Sequence, residues 1–209
     1  TANGGEAILP DIAAAIDGKL AAEGISKDDV VGIGMGVPGP VDGVGIVHKC
    51  VNLGWPEMNV EEKMGAITGL KVRAGNDANV AALGEAWKGG GAKYNSIIMV
   101  TLGTGVGGGV VIDGKLFEGN LGKGAELGHT TLVYNGLPCG CGRRGCFEQY
   151  ASATALIRIT EEKMEQNKDS LMWEVKEKEG KVNGKVAFTA AKMGEKAANE
   201  VVDQYVEYL

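Results

Sequence analysis

The run from Leu137 to Glu148 reads LPCGCGRRGCFE and places three of the chain's four cysteines within eight residues. Thiols packed this closely leave few options. A disulfide between such near neighbours is strained, and nothing in the sequence calls for an oxidising compartment. A redox pair takes the form C-x-x-C, whereas the spacing here is C-x-C-x4-C. Three thiolates converging in a glycine-rich knuckle suit tetrahedral zinc, which takes four nitrogen or sulfur donors. The chain has two histidines. His129 lies ten residues before Cys139, in Glu126-Leu127-Gly128-His129, and His48 lies far upstream, near Cys50. Spacing selects His129. The expected set is His129, Cys139, Cys141 and Cys146, closed to water and therefore structural. The alternative is a group of free buried cysteines beside an ordinary histidine. Cys50 reads as a core cysteine and His48 as a surface or loop residue.

A zinc-bound imidazole keeps a proton on its second nitrogen and presents it as a fixed donor. His129 can then serve a metal and a ligand hydroxyl together. Glu126 and Glu148 flank the knuckle, and carboxylates held this way suit hydrogen bonding to a polyhydroxyl ligand; solvated surface charge is the other reading. Arg143 and Arg144 read as solvated loop charges rather than nucleic-acid contacts. The chain carries 21 basic and 27 acidic residues for a net charge of −6, which argues against general affinity for a phosphate backbone.

The rest of the chain reads as α/β. Helices are expected over Glu6–Ala22, Val60–Thr68, Ala78–Trp87, Ser152 to about Gln166, and Phe188–Leu209. The last of these carries Ala198, Val201, Val202, Tyr205 and Leu209 on one face. Val30–Val37 reads as a buried strand, Lys71–Ala74 as a short one, and Ser96–Leu102 and Val106–Ile112 as apolar strands. Asp113-Gly114 reads as a hairpin turn. Asn167–Lys185 is charged and mixes helix with loop. No apolar run reaches the length of a membrane span, and Thr1–Asp11 has no secretory pattern. Hydrophobic residues make up 44% of the 209, enough for one large domain or two small lobes.

Two further segments carry chemistry. Gly103-Thr104-Gly105-Val106-Gly107-Gly108 matches G-x-G-x-x-G formally, but a strand follows it, whereas the dinucleotide fingerprint opens a helix. What remains is a strand–GTG–strand hairpin, able to cradle a phosphate on its N–H groups and the Thr104 hydroxyl, or to be a plain glycine-rich turn. Asp77 follows a strand and opens a helix. It is either an N-cap or a carboxylate placed to accept a proton from an alcohol in phosphoryl transfer.

Together these pieces resemble the ROK family of sugar kinases and repressors, and within it the bacterial glucokinases. The matching segments are GIGMGVPGPVD (32–42), NDANVAALGEAW (76–87), VTLGTGVGGGVVIDGKL (100–116), GAELGHTTL (124–132) and CGCGRRGCFEQYAS (139–152), in the family's order. The knuckle with its upstream ELGH is the specific part; the glycine loops are common to actin-like ATPases.

The resemblance implies an actin-like (ribonuclease H-like) α/β fold of two lobes around a cleft, incomplete here, with residues 1–76 in the small N-terminal lobe and 77–209 in the large C-terminal one. It implies ATP-dependent phosphorylation of the 6-hydroxyl of glucose. Asp77 is then the general base. Asn76, Glu126, His129 and Glu148 hold sugar hydroxyls, and Gly39 and Asn52 line the same pocket. Gly103, Thr104 and Gly105 form a phosphate loop for Mg-ATP, and zinc fixes the knuckle. A homo-oligomer (dimer or tetramer), a cytoplasmic location and no nucleic-acid partner are the family's further implications for a kinase. The alternatives are a sugar-sensing repressor with an N-terminal helix-turn-helix, or a kinase for another hexose such as fructose or N-acetylmannosamine.

The family's Asp-Gly-Gly-Thr phosphate loop and its adenosine-binding segments lie outside the matched stretches. The sequence therefore leads us to expect an interruption at both ends and weak ATP binding by residues 1–209 alone.

Overall fold

The computed structural model describes residues 2–48, 50 and 53–209. The chain parts into two compact units. One comprises Thr1–Met99 with Gly108–Ala125; the other comprises Val100–Gly107 with Glu126–Leu209.

The first unit begins with helix α1, Ile8–Glu23. Pro10 sits in its first turn, where a missing N–H costs nothing. Gly24, at φ 65°, closes the helix in the left-handed conformation. Strand β1, Ile33–Val37, pairs in parallel with a later strand, Val72–Asn76, in the register Ile33↔Val72 to Val37↔Asn76. Between them run β2 (Ile46–Val47), antiparallel to β3 (Met58–Asn59), and helix α2 (Val60–Thr68). Asn59 caps α2 by accepting the Glu62 N–H at 2.9 Å. The Val72–Asn76 strand is β4, and it runs directly into helix α3, Asp77–Lys88. A parallel pair needs a crossover connection, and α2 supplies it between β1 and β4. Leu9, Ala13, Val37, Val41, Val47, Cys50, Trp55, Val60, Met64 and Val72 form the core of this unit.

The expectation of a fully buried β1 is not met. Half-buried and exposed positions alternate along it up to Val37, the buried residue at its end, and Val31, just before it, is 96% exposed. Strand β5 (Ile97–Leu102) alternates likewise, with Ile98, Val100 and Leu102 turned outward. Successive strand residues face opposite sides, so an unbroken apolar run does not by itself bury both faces. Strands β5, β6 (Val106–Ile112) and β7 (Lys115–Leu116) form one sheet in that order. The Asp113-Gly114 turn joins β6 to β7, which pair in antiparallel fashion.

The second unit is mainly helical. The short α4 (Glu148–Ala151) is followed by α5 (Ala153–Gln166), α6 (Leu171–Glu179), α7 (Gly184–Lys192) and α8 (Lys196–Tyr208). Ser152 caps α5 through the Ala155 N–H at 3.0 Å. Leu156, Ile159, Met164, Met172, Val175, Val186, Ala190, Val201 and Tyr205 are among the residues of one apolar cluster. The single helix expected over 188–209 is instead two. Gly194 adopts φ 85°, and Glu195 caps α8 by accepting the Ala197 and Ala198 N–H groups. Ala198, Val201 and Tyr205 are buried as expected, whereas Leu209 is exposed. The Tyr205 hydroxyl donates to Ala151 O at 2.8 Å and ties α8 to α4.

Strand β4 runs on into α3 within the first of these compact units. Among the described residues no helix is long and apolar enough to cross a membrane.

Candidate sugar and phosphate site

In the first unit the junction of β4 and α3 carries Asn76 and Asp77. The cap of α3 is Asn76, not Asp77: its Oδ1 accepts the Asn79 N–H at 3.1 Å. Its amide also donates to Gly39 O at 3.3 Å, so one side chain fixes both the helix start and the Pro38–Pro40 loop. Asp77 is the first helical residue and is exposed, and its Oδ1 accepts the Ala78 N–H at 2.8 Å. Asn76 thus takes the capping position, and Asp77 satisfies only the N–H next to it. A glycine precedes the pair because α3 packs tightly there: a Cβ on Gly75 would lie 2.8 Å from Val80 Cγ1.

The Pro38–Asp42 loop has further anchors. The Cys50 thiol, 1% exposed, donates to Pro38 O at 3.1 Å. Cys50 is the core cysteine expected. His48 is more than a surface residue: it lies half-buried, with Nε2 3.1 Å from Asp42 Oδ2 and Nδ1 3.3 Å from Glu57 Oε2. The Ile46 N–H, with the Val44 N–H and His48, holds the Asp42 carboxyl below its ordinary value. Gly39 is placed in this loop, while Asn52 lies outside the described residues.

In the second unit the four expected metal donors come together. The ligand atoms of His129, Cys139, Cys141 and Cys146 all lie within 4.8 Å of one another. Cys139 Sγ is 3.6 Å from His129 Nδ1, and Cys141 Sγ is 3.6 Å from Cys146 Sγ. A zinc ion with Zn–S bonds of about 2.3 Å has sulfur–sulfur edges of about 3.8 Å, so the donor set fits in kind and in size. Nδ1 faces the thiols, which leaves Nε2 as the outward donor. The cysteines are not equivalent. Burial pushes the Cys146 thiol up to about 12, whereas the Arg143 N–H holds Cys141 below its ordinary value.

Arg143 was missed by sequence reasoning. It is exposed, but its guanidinium donates to His129 O at 3.2 Å and to Thr131 Oγ1 at 2.9 Å. Its own carbonyl accepts the Cys139 N–H at 2.9 Å. One residue therefore clips the ELGH segment to the knuckle. Nothing in the pattern signals this, since an arginine between two metal ligands also suits a solvated loop.

The Gly103–Gly105 turn forms the hairpin expected between β5 and β6. Gly103 N–H donates to Gly105 O at 2.9 Å. The N–H groups of Thr104 and Gly105 have no hydrogen-bond partner among the described residues. The Val106 N–H donates to Glu148 Oε2 at 3.0 Å. Gly128 lies so close that a Cβ on it would collide with Val106 O. The ELGH turn, Glu148 and the hairpin thus converge on Val106. Glu126 is exposed at the start of the Leu127–His129 turn, with its side chain uncommitted among the described residues.

Comparison with known proteins places the chain in a family. The ROK family pattern matches residues 4–209. The chain is 41% identical over 209 residues to the glucokinase of Halalkalibacterium halodurans, covering 99% of this chain and 63% of that protein. A solved ROK family glucokinase from Streptomyces griseus, in complex with glucose and AMPPNP, has a TM-score of 0.78 and 35% identity, covering 95% of this chain and 65% of that one. A solved ROK family transcriptional regulator, a homologue of the E. coli MLC protein, has a TM-score of 0.83 and 26% identity, covering 96% and 50%. This chain spans 50% to 65% of the length of these three proteins. It belongs to the ROK family and carries part of that family's actin-like α/β fold.

Proposed function

We propose that the protein acts as an ATP-dependent kinase that phosphorylates glucose at its 6-hydroxyl. The observation that carries this reading is the cluster around Val106. A carboxylate with one oxygen to spare (Glu148) and a histidine whose Nδ1 faces a cluster of thiols (His129) lie beside a hairpin with two N–H groups unpartnered among the described residues. Acceptors and donors of that kind suit a polyol, and converging N–H groups suit a phosphate.

In this reading Glu126, His129 and Glu148 hold sugar hydroxyls, with Asn76 and the Gly39 loop as further contacts and Asn52 a candidate from the sequence alone. Asp77 accepts the 6-hydroxyl proton as the new bond to phosphorus forms. Its exposed carboxylate at a helix start is already oriented by the Ala78 N–H. Gly103, Thr104 and Gly105 take one part of the ATP phosphates, and Mg²⁺ neutralises their charge. His129, Cys139, Cys141 and Cys146 would hold zinc, which would supply a fixed link among them. Lobes dividing near residue 76, a homo-oligomer and a cytoplasmic location complete the proposal. The exposed carboxylate of Asp77 favours a kinase over a sensor, which has no chemical need of a base.

A second reading is a sugar-sensing repressor, favoured by the TM-score of 0.83 with the ROK transcriptional regulator. The test is ADP release by the complete natural protein with Mg-ATP and a panel of hexoses. Release that depends on glucose is the expected result. No release with any hexose, from folded and zinc-loaded protein, contradicts the kinase and favours the repressor.

A further inference from the structure

Glu148 faces two ways. Its Oε2 accepts the Val106 N–H at 3.0 Å, whereas Oε1 is uncommitted among the described residues. The segment that begins with Glu148 makes two more bonds to the same hairpin. Ala153 N–H donates to Gly103 O at 2.9 Å, and the Thr154 hydroxyl donates to Thr104 O at 2.7 Å. Gly105 completes the fit. Its backbone lies outside the positive-φ region, so an alanine there is acceptable to the chain itself. The three atoms nearest to an added Cβ all belong to Glu148, and the carboxylate would have to move to admit it.

We propose that Glu148 and Thr154 lock the Gly103–Val106 hairpin to the sugar-binding segment, so that the carboxylate holding the sugar also sets the shape of the phosphate loop. The inference rests on the kinase reading above, in which the hairpin takes phosphate and Glu148 takes sugar. It adds a two-way dependence. A change in the phosphate loop must weaken sugar binding even without nucleotide. A change at Thr154, a positioning residue that touches neither ligand in this reading, must weaken nucleotide binding.

The experiment is calorimetric titration of the complete natural protein, as wild type, Gly105→Ala, Thr154→Val and Thr154→Ser, with zinc content measured on each. Glucose is titrated without nucleotide, and Mg-AMPPNP is titrated separately. Gly105→Ala is expected to weaken glucose about tenfold, because it displaces one charge-assisted acceptor, with zinc retained. Thr154→Val is expected to weaken Mg-AMPPNP about two- to fivefold, the effect of losing one exposed hydrogen bond. It should weaken glucose less than Gly105→Ala does, because the Glu148 bond to the Val106 N–H remains, and Thr154→Ser should restore the wild-type values.

Unchanged glucose affinity in folded Gly105→Ala overturns the inference while leaving the kinase reading in place. If that variant does not fold, Thr154→Val decides: unchanged nucleotide affinity overturns the inference. A wild type that binds neither glucose nor Mg-AMPPNP overturns the kinase reading and the inference together.

Discussion

Two neighbouring stretches of the second unit are held together by different physics. The helices α5 to α8 share a continuous apolar cluster in which Met164, Met172, Val186 and Val201 are almost fully buried. The stretch from Glu126 to Glu148 has little of this. It contains the Leu127–His129 turn, isolated bridges Thr131↔Cys146 and Pro138↔Arg144, and many exposed residues. Its shape is fixed by backbone hydrogen bonds, the Arg143 clip and four convergent metal donors. Apolar burial is weakened by denaturants but not by chelators, whereas a knuckle linked by a metal responds to chelators and protons. In our proposal the part of the unit that handles the sugar is also the part that a metal would hold in order.

The comparison breaks most sharply under metal removal. Chelation, or Cys146→Ser, is expected to abolish glucose binding by the complete protein while most of the helical circular dichroism remains, as separate titration and spectroscopy will show. Loss of the helical signal in step with the metal would make the two stretches one cooperative unit.

Proton concentration comes next. The metal-free Cys146 thiol is pushed up to about 12, so it carries its proton at neutral pH. Its neutral form favours the metal-free fold below its unfolded pKa, and that contribution is lost as pH rises through the folded value. Zinc needs the thiolate and must expel this proton. Zinc affinity should therefore tighten about tenfold per pH unit for each proton released, measured by competition with a chromogenic chelator. A flat profile from pH 6 to 8 would contradict the assignment.

Met172→Ala, in the helical cluster, should cost about 2–5 kcal/mol in denaturant unfolding and leave zinc content unchanged. The smallest effect is expected of Arg143→Ala, which removes two exposed hydrogen bonds for about 1 kcal/mol or less. It should speed zinc release without altering the helices.

The metal cluster was legible in the sequence because donor chemistry and spacing survive any detail of the backbone: C-x-C-x4-C with a histidine ten residues upstream leaves little else to build. Strands β1 and β4 and the helix between them were legible as separate elements, but their parallel pairing was not, because residues some forty positions apart carry no mark of their register. The break between α7 and α8 was hidden because apolar residues continue at helical spacing across it, so that Gly194 was the only sign. The cap of α3 is not legible in the sequence, because Asn76 and Asp77 are both good capping residues, and only the bond from the Asn79 N–H to Asn76 separates them. Arg143 and Thr154 left no trace, since their partners are backbone carbonyls and a hydroxyl that a linear pattern does not contain.

The central claim is that Asp77 accepts a sugar proton during phosphoryl transfer. The direct measurement is glucose-dependent ADP release by the complete natural protein beside its Asp77→Asn variant, with glucose affinity measured on both. The account predicts a fall in kcat of about 10²–10⁴-fold, with glucose affinity within a few-fold of wild type. A variant that retains kcat within about threefold while binding glucose normally would remove Asp77 from the chemistry and contradict the account.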